Sequence, residues 1–295
     1  MVLKKLLEGK FEIYNYMKDL TLQDHLETFQ DHLFVTETKV GNMVVYNNDT
    51  IVSNSLELYG EYADAEIEIL CRYLDENSVY IDVGTNIGYH ALAVTKKAGC
   101  PVIGFEPHPN HFVVAALNCN GKNIQLIHSA LGNKKGTLVI KNFDPTQEGN
   151  YGDVGFSDEG LEVKIQKLDD FKLTICTVIK IDVEGYELEV LKGSTKVIKQ
   201  FRPIIMYEAI DIKEWEACHK FMSDKKYKQY WVAVKNKPVA PTFKENEADP
   251  FNNTGVTNIL CIPEEKEQPT DLVEVVPGEQ FADCLKRMMG YKLVF

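Results

Sequence analysis

Five short apolar runs, at 78–83, 101–105, 124–128, 178–182 and 204–208, alternate with amphipathic segments of helical period. Buried strands separated by helices of that length leave little choice: the strands pair in parallel and the helices cover both faces of the sheet. The spacing places helices near 89–97 and 111–120 and from 187 onward, and the expected fold class is α/β, doubly wound, with a mostly parallel sheet. The segment 132–173 is a longer excursion, rich in Gly and Asp over 149–160, and reads in part as a mobile loop near a site. Residues 229–234 and 258–262 read as two late strands, an edge hairpin around the polar loop 235–257.

Ahead of the alternation, Phe11, Tyr14, Met17 and Leu20 recur at helical spacing, and Thr21 with Asp24 offers a capping signal. Residues 34–58, rich in β-branched types and broken at Gly41-Asn42 and Asn47-Asn48-Asp49, read as strands joined by turns, and 63–74 returns to helix through Ile67, Leu70 and Leu74. The expected division is a small N-terminal helical and β extension over 1–74, packed on a principal domain over 75–295. The segment 278–295 carries Phe281, Cys284, Leu285 and Met288 at the spacing of a terminal helix.

Composition excludes several function classes. With 44% hydrophobic and 26% charged residues, the chain is ordinary for a folded globular protein. No apolar run approaches the roughly 18 residues of a membrane-spanning helix. The start is basic and amphipathic, without an apolar stretch and cleavage site, so the expected location is cytoplasmic. A net charge of -12 repels phosphate backbones, which argues against a nucleic-acid partner. Seven scattered cysteines with no C-x-x-C pair fit buried thiols rather than a disulfide framework or zinc site.

The chemistry begins at Tyr80-Ile81-Asp82-Val83-Gly84-Thr85-Asn86-Ile87-Gly88, a buried strand that runs into a glycine turn and a helix. Gly84 lets the turn tighten beneath a ligand, and Gly88 permits close packing of the helix. The next strand closes on Glu106, at the distance expected of an acid that accepts hydrogen bonds from ribose hydroxyls. Asn86 stands where dinucleotide enzymes carry their second glycine and would crowd a pyrophosphate. Its amide suits the amino-acid end of S-adenosylmethionine, and Asp82 can accept from that cofactor's ammonium. Glu61, before the helix that precedes this strand, is placed to close over the methionine moiety.

Together with Tyr59-Gly60-Glu61-Tyr62, Glu66, Phe105-Glu106-Pro107, Ser129-Ala130-Leu131-Gly132 and the stretch 203–208, this motif resembles the FkbM family of methyltransferases. The most specific element is Lys180-Ile181-Asp182-Val183-Glu184-Gly185-Tyr186-Glu187. Departures are mild: Thr85 stands where alanine is commoner, and His90 is unusual at its helix start. The resemblance implies a Rossmann-like, class I methyltransferase fold with S-adenosylmethionine as cofactor and Ser129 near the adenine edge. It also implies methyl transfer to a hydroxyl of a sugar, glycan or glycosylated small molecule.

A hydroxyl must lose its proton as it attacks, which calls for a nearby base. By the resemblance, Asp182 ends a strand beside the first, and Glu184 follows ahead of Gly185, where the chain can turn and present both carboxylates to one cavity. One is expected to act as base and the other to orient the acceptor; no metal is assigned, though the pair would also suit a divalent cation. Glu208, closing the fifth strand, is a third candidate for acceptor contact. His90 and His108 are weaker candidates, as a base and beside the adenine. Two other functions fit parts of the pattern: a non-catalytic S-adenosylmethionine-binding scaffold or sensor, and an NAD-dependent oxidoreductase with Glu106 on the ribose.

Overall fold

In the computed structural model, which describes residues 26–209, 212–239, 241–252 and 254–276, the chain enters through an antiparallel hairpin of β1 (Leu33–Thr38) and β2 (Gly41–Tyr46). The expectations for residues 1–25 and 278–295 lie outside the described residues. The strand character anticipated up to residue 58 stops early, because α1 (Val52–Leu58) follows the hairpin. Its cause is local: the buried Asp49 carboxylate accepts from the backbone N–H of Ile51 (3.2 Å) and Ser53 (2.6 Å), so a turn signal becomes a helix start. Helix α2 (Asp64–Cys71) leads into the core.

There β3 (Tyr80–Val83), α3 (Tyr89–Ala98), β4 (Val102–Phe105), α4 (Pro109–Cys119) and β5 (Ile124–Ile127) run in the expected alternation. The excursion that follows carries β7 (Gly136–Ile140) and β8 (Leu161–Gln166), which form a separate three-stranded sheet with β6 (Ala130–Leu131) just ahead of it. The chain then returns through β9 (Val178–Ile181), α5 (Glu187–Gly193), α6 (Thr195–Phe201), β10 (Ile204–Glu208) and α7 (Ile212–Asp224). It closes with β11 (Tyr227–Lys235), β12 (Gly255–Pro263) and the short β13 (Val273–Glu274).

The eight-stranded sheet runs β13-β11-β12-β10-β9-β3-β4-β5, with β10, β9, β3, β4 and β5 parallel. The fold class read from the sequence is therefore the one the chain adopts. The late strands do pair with each other, but not as an outer hairpin: β12 inserts between β10 and β11, antiparallel to both. Its Ile259, Leu260, Cys261 and Ile262 are wholly buried, so the segment has the composition of an interior strand.

Alternation along each strand divides the core. Ile81, Val83, Ile179, Ile181, Ile205 and Tyr207 pack on the face covered by α5 to α7, whereas Tyr80, Val102, Leu126, Val178, Ile204 and Met206 pack under the hairpin and α2 to α4. Chain order reverses between β3 and β9, since β4 and β5 lie on one side of β3 and the returning strands on the other. In open α/β sheets that switch point leaves a crevice outside the carboxyl ends of the strands, and it is there that ligands bind. Among the described residues no helix is long and apolar enough to cross a membrane. The six described cysteines are free, and all but Cys71 are buried.

Candidate active site at the switch point

A cavity of about 490 Å³ opens at this crevice, walled by the ends of β3, β4, β9 and β10 and by the loop around residues 150–156. Of the residues predicted from sequence, Asp82, Gly84, Asn86, Glu106, Ser129, Asp182, Glu184 and Glu208 line it, while Glu61 and Gly88 do not. Glu61 turns away from the cavity, accepting from the Phe243 N–H at 3.3 Å and lying 3.7 Å from the Lys39 ammonium. Its neighbour Tyr62 lines the wall instead. Gly88 serves packing: a Cβ there would meet Cys119 Sγ at 2.8 Å, so the close approach is between α3 and α4 rather than helix and strand.

Gly84 has the firmest requirement. Its φ is 90°, and a Cβ would sit 1.8 Å from the carbonyl oxygen of Asp182, so the glycine turn and the end of β9 can touch only without a side chain. Asn86 also takes a left-handed conformation, with φ 51°, and its Oδ1 accepts from the Ile87 N–H at 2.6 Å. The backbone N–H of Asn86 donates to Glu106 at 2.8 Å, and that of His108 donates to the other Glu106 oxygen, also at 2.8 Å. Glu106 is thereby fixed at the end of β4, with a further lone pair on each oxygen for a ligand. Burial outweighs those two donors and pushes its carboxyl up to about 8. His108 is buried beneath the site as the N-cap of α4, accepting from the Asn110 N–H, and does not line the cavity.

Asp82 is 1% exposed, and its Oδ2 has no hydrogen-bond partner. An orphaned carboxylate oxygen buried beside a cavity is costly unless something cationic arrives. Burial, opposed by the nearby Lys180 charge, raises this carboxyl to about 7. The donor set therefore fits a nucleoside cofactor with an ammonium group: a buried acceptor at Asp82, a fixed acid at Glu106, a side-chain-free turn at Gly84.

Sheet register explains the rest of the charge. Lys180 is the β9 partner of both Asp82 on β3 and Met206 on β10, and Asp182 and Glu208 follow two residues later on the same face. The Lys180 ammonium lies 2.6 Å from Asp182 Oδ2 and 4.0 Å from Glu66 Oε2, itself 4.0 Å from His90 Nε2. Asn258 of β12 donates to Glu66 Oε1 at 3.0 Å. Lys180 is 4% exposed and is the sole lysine or arginine lining the cavity among the described residues. Burial costs its ammonium, but Asp182, Glu66 and Asp82 together overcome that cost and raise its pKa. Burial and the same ammonium drive the His90 pKa well below its usual value, so His90 is neutral.

One oxygen each from Asp182, Glu184 and Glu208 come within 4.8 Å of one another. Such a group can share a proton or a cation, and here Lys180 already supplies an ammonium to Asp182. Asp182 is held below the usual carboxylate range, since the Lys180 ammonium at 2.6 Å outweighs its burial. Glu208, half-buried, is pushed up to about 11 by desolvation and the neighbouring Asp182 charge and keeps its proton. Glu184 is raised to about 8 by burial and then by the Asp182 charge. Its backbone is left-handed, φ 54°, and the turn is tied down by Glu187, whose Oε1 accepts from Val183 N–H (3.1 Å) and Gly185 N–H (3.4 Å). Motif spacing alone assigns no role to Lys180 or Glu187. A lysine flanked by isoleucines in a buried parallel strand was the available signal, because such a charge needs partners on the same face.

The sequence profile of the methyltransferase FkbM domain matches residues 82–230, 149 of the 295 residues, beginning at Asp82 and spanning the turn, Glu106 and the three clustered acids. The chain belongs to the FkbM methyltransferase domain family. The hexuronic acid methyltransferase AglP of Haloferax volcanii is 32% identical over 155 residues, 50% of this chain and 64% of AglP, so the chain spans less than two thirds of that relative. Two solved structures align at low similarity. The methyltransferase FkbM from Methylobacillus flagellatus KT has 16% identity and a TM-score of 0.38 over 62% of this chain and 43% of the other. The Pyrococcus abyssi tRNA (uracil-54, C5)-methyltransferase, solved with S-adenosyl-L-homocysteine, has 10% identity and a TM-score of 0.44 over 78% and 44%.

Proposed function

We propose that the protein is an S-adenosylmethionine-dependent O-methyltransferase acting on a hydroxyl of a sugar or glycan. The observation that carries this reading is the buried, partnerless Asp82 Oδ2 at the switch point, in a family of methyltransferases and within one cavity with three clustered acids. Asp82 would accept from the cofactor's ammonium, Glu106 would accept from its ribose hydroxyls, the side-chain-free surface at Gly84 would let it approach the backbone, and Ser129 would lie on its adenine side. When held there, the cofactor brings a methyl group already activated by its sulfonium.

The residues of the chain then have two tasks. Alignment of the acceptor oxygen with the methyl carbon is worth on the order of 7–11 kcal/mol of barrier. The hydroxyl proton must also leave, and Glu184 is the base that suits it: its carboxyl, raised to about 8, is matched to neutral pH. Asp182 is the weaker base, since Lys180 stabilises its charge, and it orients the acceptor. Glu208 retains its proton. Glu184 would thus take up the proton that the hydroxyl loses. A non-catalytic scaffold would need none of this tuning, and Asn86 crowds the pyrophosphate that an NAD enzyme must hold. AglP, which is named for hexuronic acid, supports the acceptor only as far as its being a sugar. The test is incubation with isotopically methyl-labelled S-adenosylmethionine and sugar acceptors: label in an ether linkage of the sugar supports the assignment, and bound cofactor with no transfer to any hydroxyl refutes it.

A further inference from the structure

The cavity mouth carries a feature that the methyl-transfer reading leaves unused. Phe156 is 53% exposed, although it is a large apolar side chain in a loop that the structure otherwise holds in place. Its backbone pairs with Ile140, the neighbouring Gly155 carbonyl accepts from the Lys141 N–H at 3.0 Å, and the Ser157 N–H donates to Val139 at 3.1 Å. The ring lies nearly parallel to that of half-buried Tyr186, at an interplanar angle of 15° and a centroid distance of 5.9 Å. Both rings line the cavity and both adjoin Glu184: Tyr186 is two residues on, and Gly155 packs so closely that a Cβ there would meet the Glu184 carbonyl oxygen at 2.5 Å.

A flat aromatic surface beside hydrogen-bonding carboxylates is what a pyranose ring requires. Its axial C–H bonds, slightly positive, pack on the negative face of an aromatic ring, while its hydroxyls reach sideways to acceptors. Charge narrows the ring further. The cavity wall near these aromatics presents Asp153, Asp182, Glu184 and the protonated Glu208, and its one ammonium among the described residues, Lys180, is already bonded to Asp182. Lys141, outside the wall, is paired with Asp153 at 2.8 Å. Once Glu184 is ionised, as a base must be, a carboxylate on the acceptor would face that charge with no unpaired cation lining the cavity among the described residues to receive it, at a cost in repulsion and desolvation.

We infer that Phe156 and Tyr186 form an acceptor subsite for an uncharged pyranose, and that a hexuronate is disfavoured there. This inference rests on the methyltransferase reading for the position of the reacting hydroxyl, but its test does not require turnover. Protein loaded with S-adenosylhomocysteine is titrated at pH 9, where Glu184 is ionised, with neutral methyl hexopyranosides and with the corresponding methyl hexopyranosiduronates, in chelator, by saturation-transfer NMR. At least one neutral glycoside binds, its uronate counterpart binds at least tenfold more weakly, Phe156→Ala weakens the neutral sugar about tenfold, and Phe156→Trp restores it. Affinity for S-adenosylhomocysteine itself is the same in all three proteins. Failure of every neutral glycoside to bind, equal or tighter binding of the uronate, or indifference to Phe156→Ala would overturn the subsite. Loss of S-adenosylhomocysteine binding in the unmodified protein would instead strike at the methyltransferase reading.

Discussion

Replacing Lys180 with methionine removes one ammonium and keeps most of the side chain's volume, so its effect isolates the charge. Asp182 is left next to Glu208, with Glu66 and Asp82 close by, and no cation lines the cavity among the described residues. Removing one partner of a buried pair costs about 3–5 kcal/mol. The Asp182 side chain keeps 36% of its surface open, which places the cost near the lower end, about 3 kcal/mol. For a domain of this size that is a fall in Tm of roughly 6–12 °C.

The pH dependence is the sharper readout. Asp82 and Glu66 have folded pKa values of about 7, above their unfolded values, so the folded state holds extra protons between roughly pH 4 and 7 and loses stability as pH rises through that window. Without Lys180 these carboxyls, and Asp182 with them, move higher still. The variant's deficit therefore grows from pH 5 to pH 8, by at most about 1.4 kcal/mol per pH unit for each additional proton retained. Differential scanning fluorimetry across pH 5 to 8.5 measures it. A Tm difference under about 2 °C, or one that is flat with pH, would refute the claim that Lys180 neutralises this cluster.

Gly84→Ala forces a Cβ to within 1.8 Å of the Asp182 carbonyl at a positive φ, so a loss of about 2–5 kcal/mol of stability together with cofactor affinity is expected; thermal melts with and without S-adenosylhomocysteine check both. Glu106→Gln keeps shape but turns one of its two oxygens, each of which accepts a backbone N–H, into a donor facing a donor; an unsatisfied buried group costs about 1–3 kcal/mol, so S-adenosylhomocysteine should bind roughly 5- to 150-fold more weakly by calorimetry. For the base, kcat/KM should rise with pH through about 8 as the Glu184 carboxyl ionises, and Glu184→Gln should lower kcat by about 10²–10⁴ and abolish that limb. An unchanged profile in that variant would assign the base elsewhere.

Much of this site is local in the sequence and was legible there. Asp82, Gly84, Asn86 and Glu106 sit at strand ends whose positions follow from the run of apolar residues, and Asp182 and Glu208 follow by the same rule. The contacts that were not legible join distant segments. Glu66, Lys180 and Asn258 meet only through sheet register and the placement of α2 over it, and nothing in the local pattern of any one of them specifies the others. Glu61 was misplaced for a related reason: its direction is set by Phe243 in a loop 182 positions away. The excursion 132–173 reads as loop because its two strands, β7 and β8, are short and separated by the twenty residues 141–160, which form no strand. The position of β12 was hidden because two strands alone do not show which of them adjoins β10.

The central claim is that Asp82, the Gly84 turn and Glu106 together grip an adenosyl ligand with an amino-acid end. Isothermal titration of the purified protein with S-adenosylhomocysteine tests it most directly. The expected result is binding at micromolar Kd, weakened at least tenfold by Asp82→Ala, with no comparable binding of NAD. Absence of binding below millimolar concentration, or equal affinity in the Asp82→Ala protein, would contradict it.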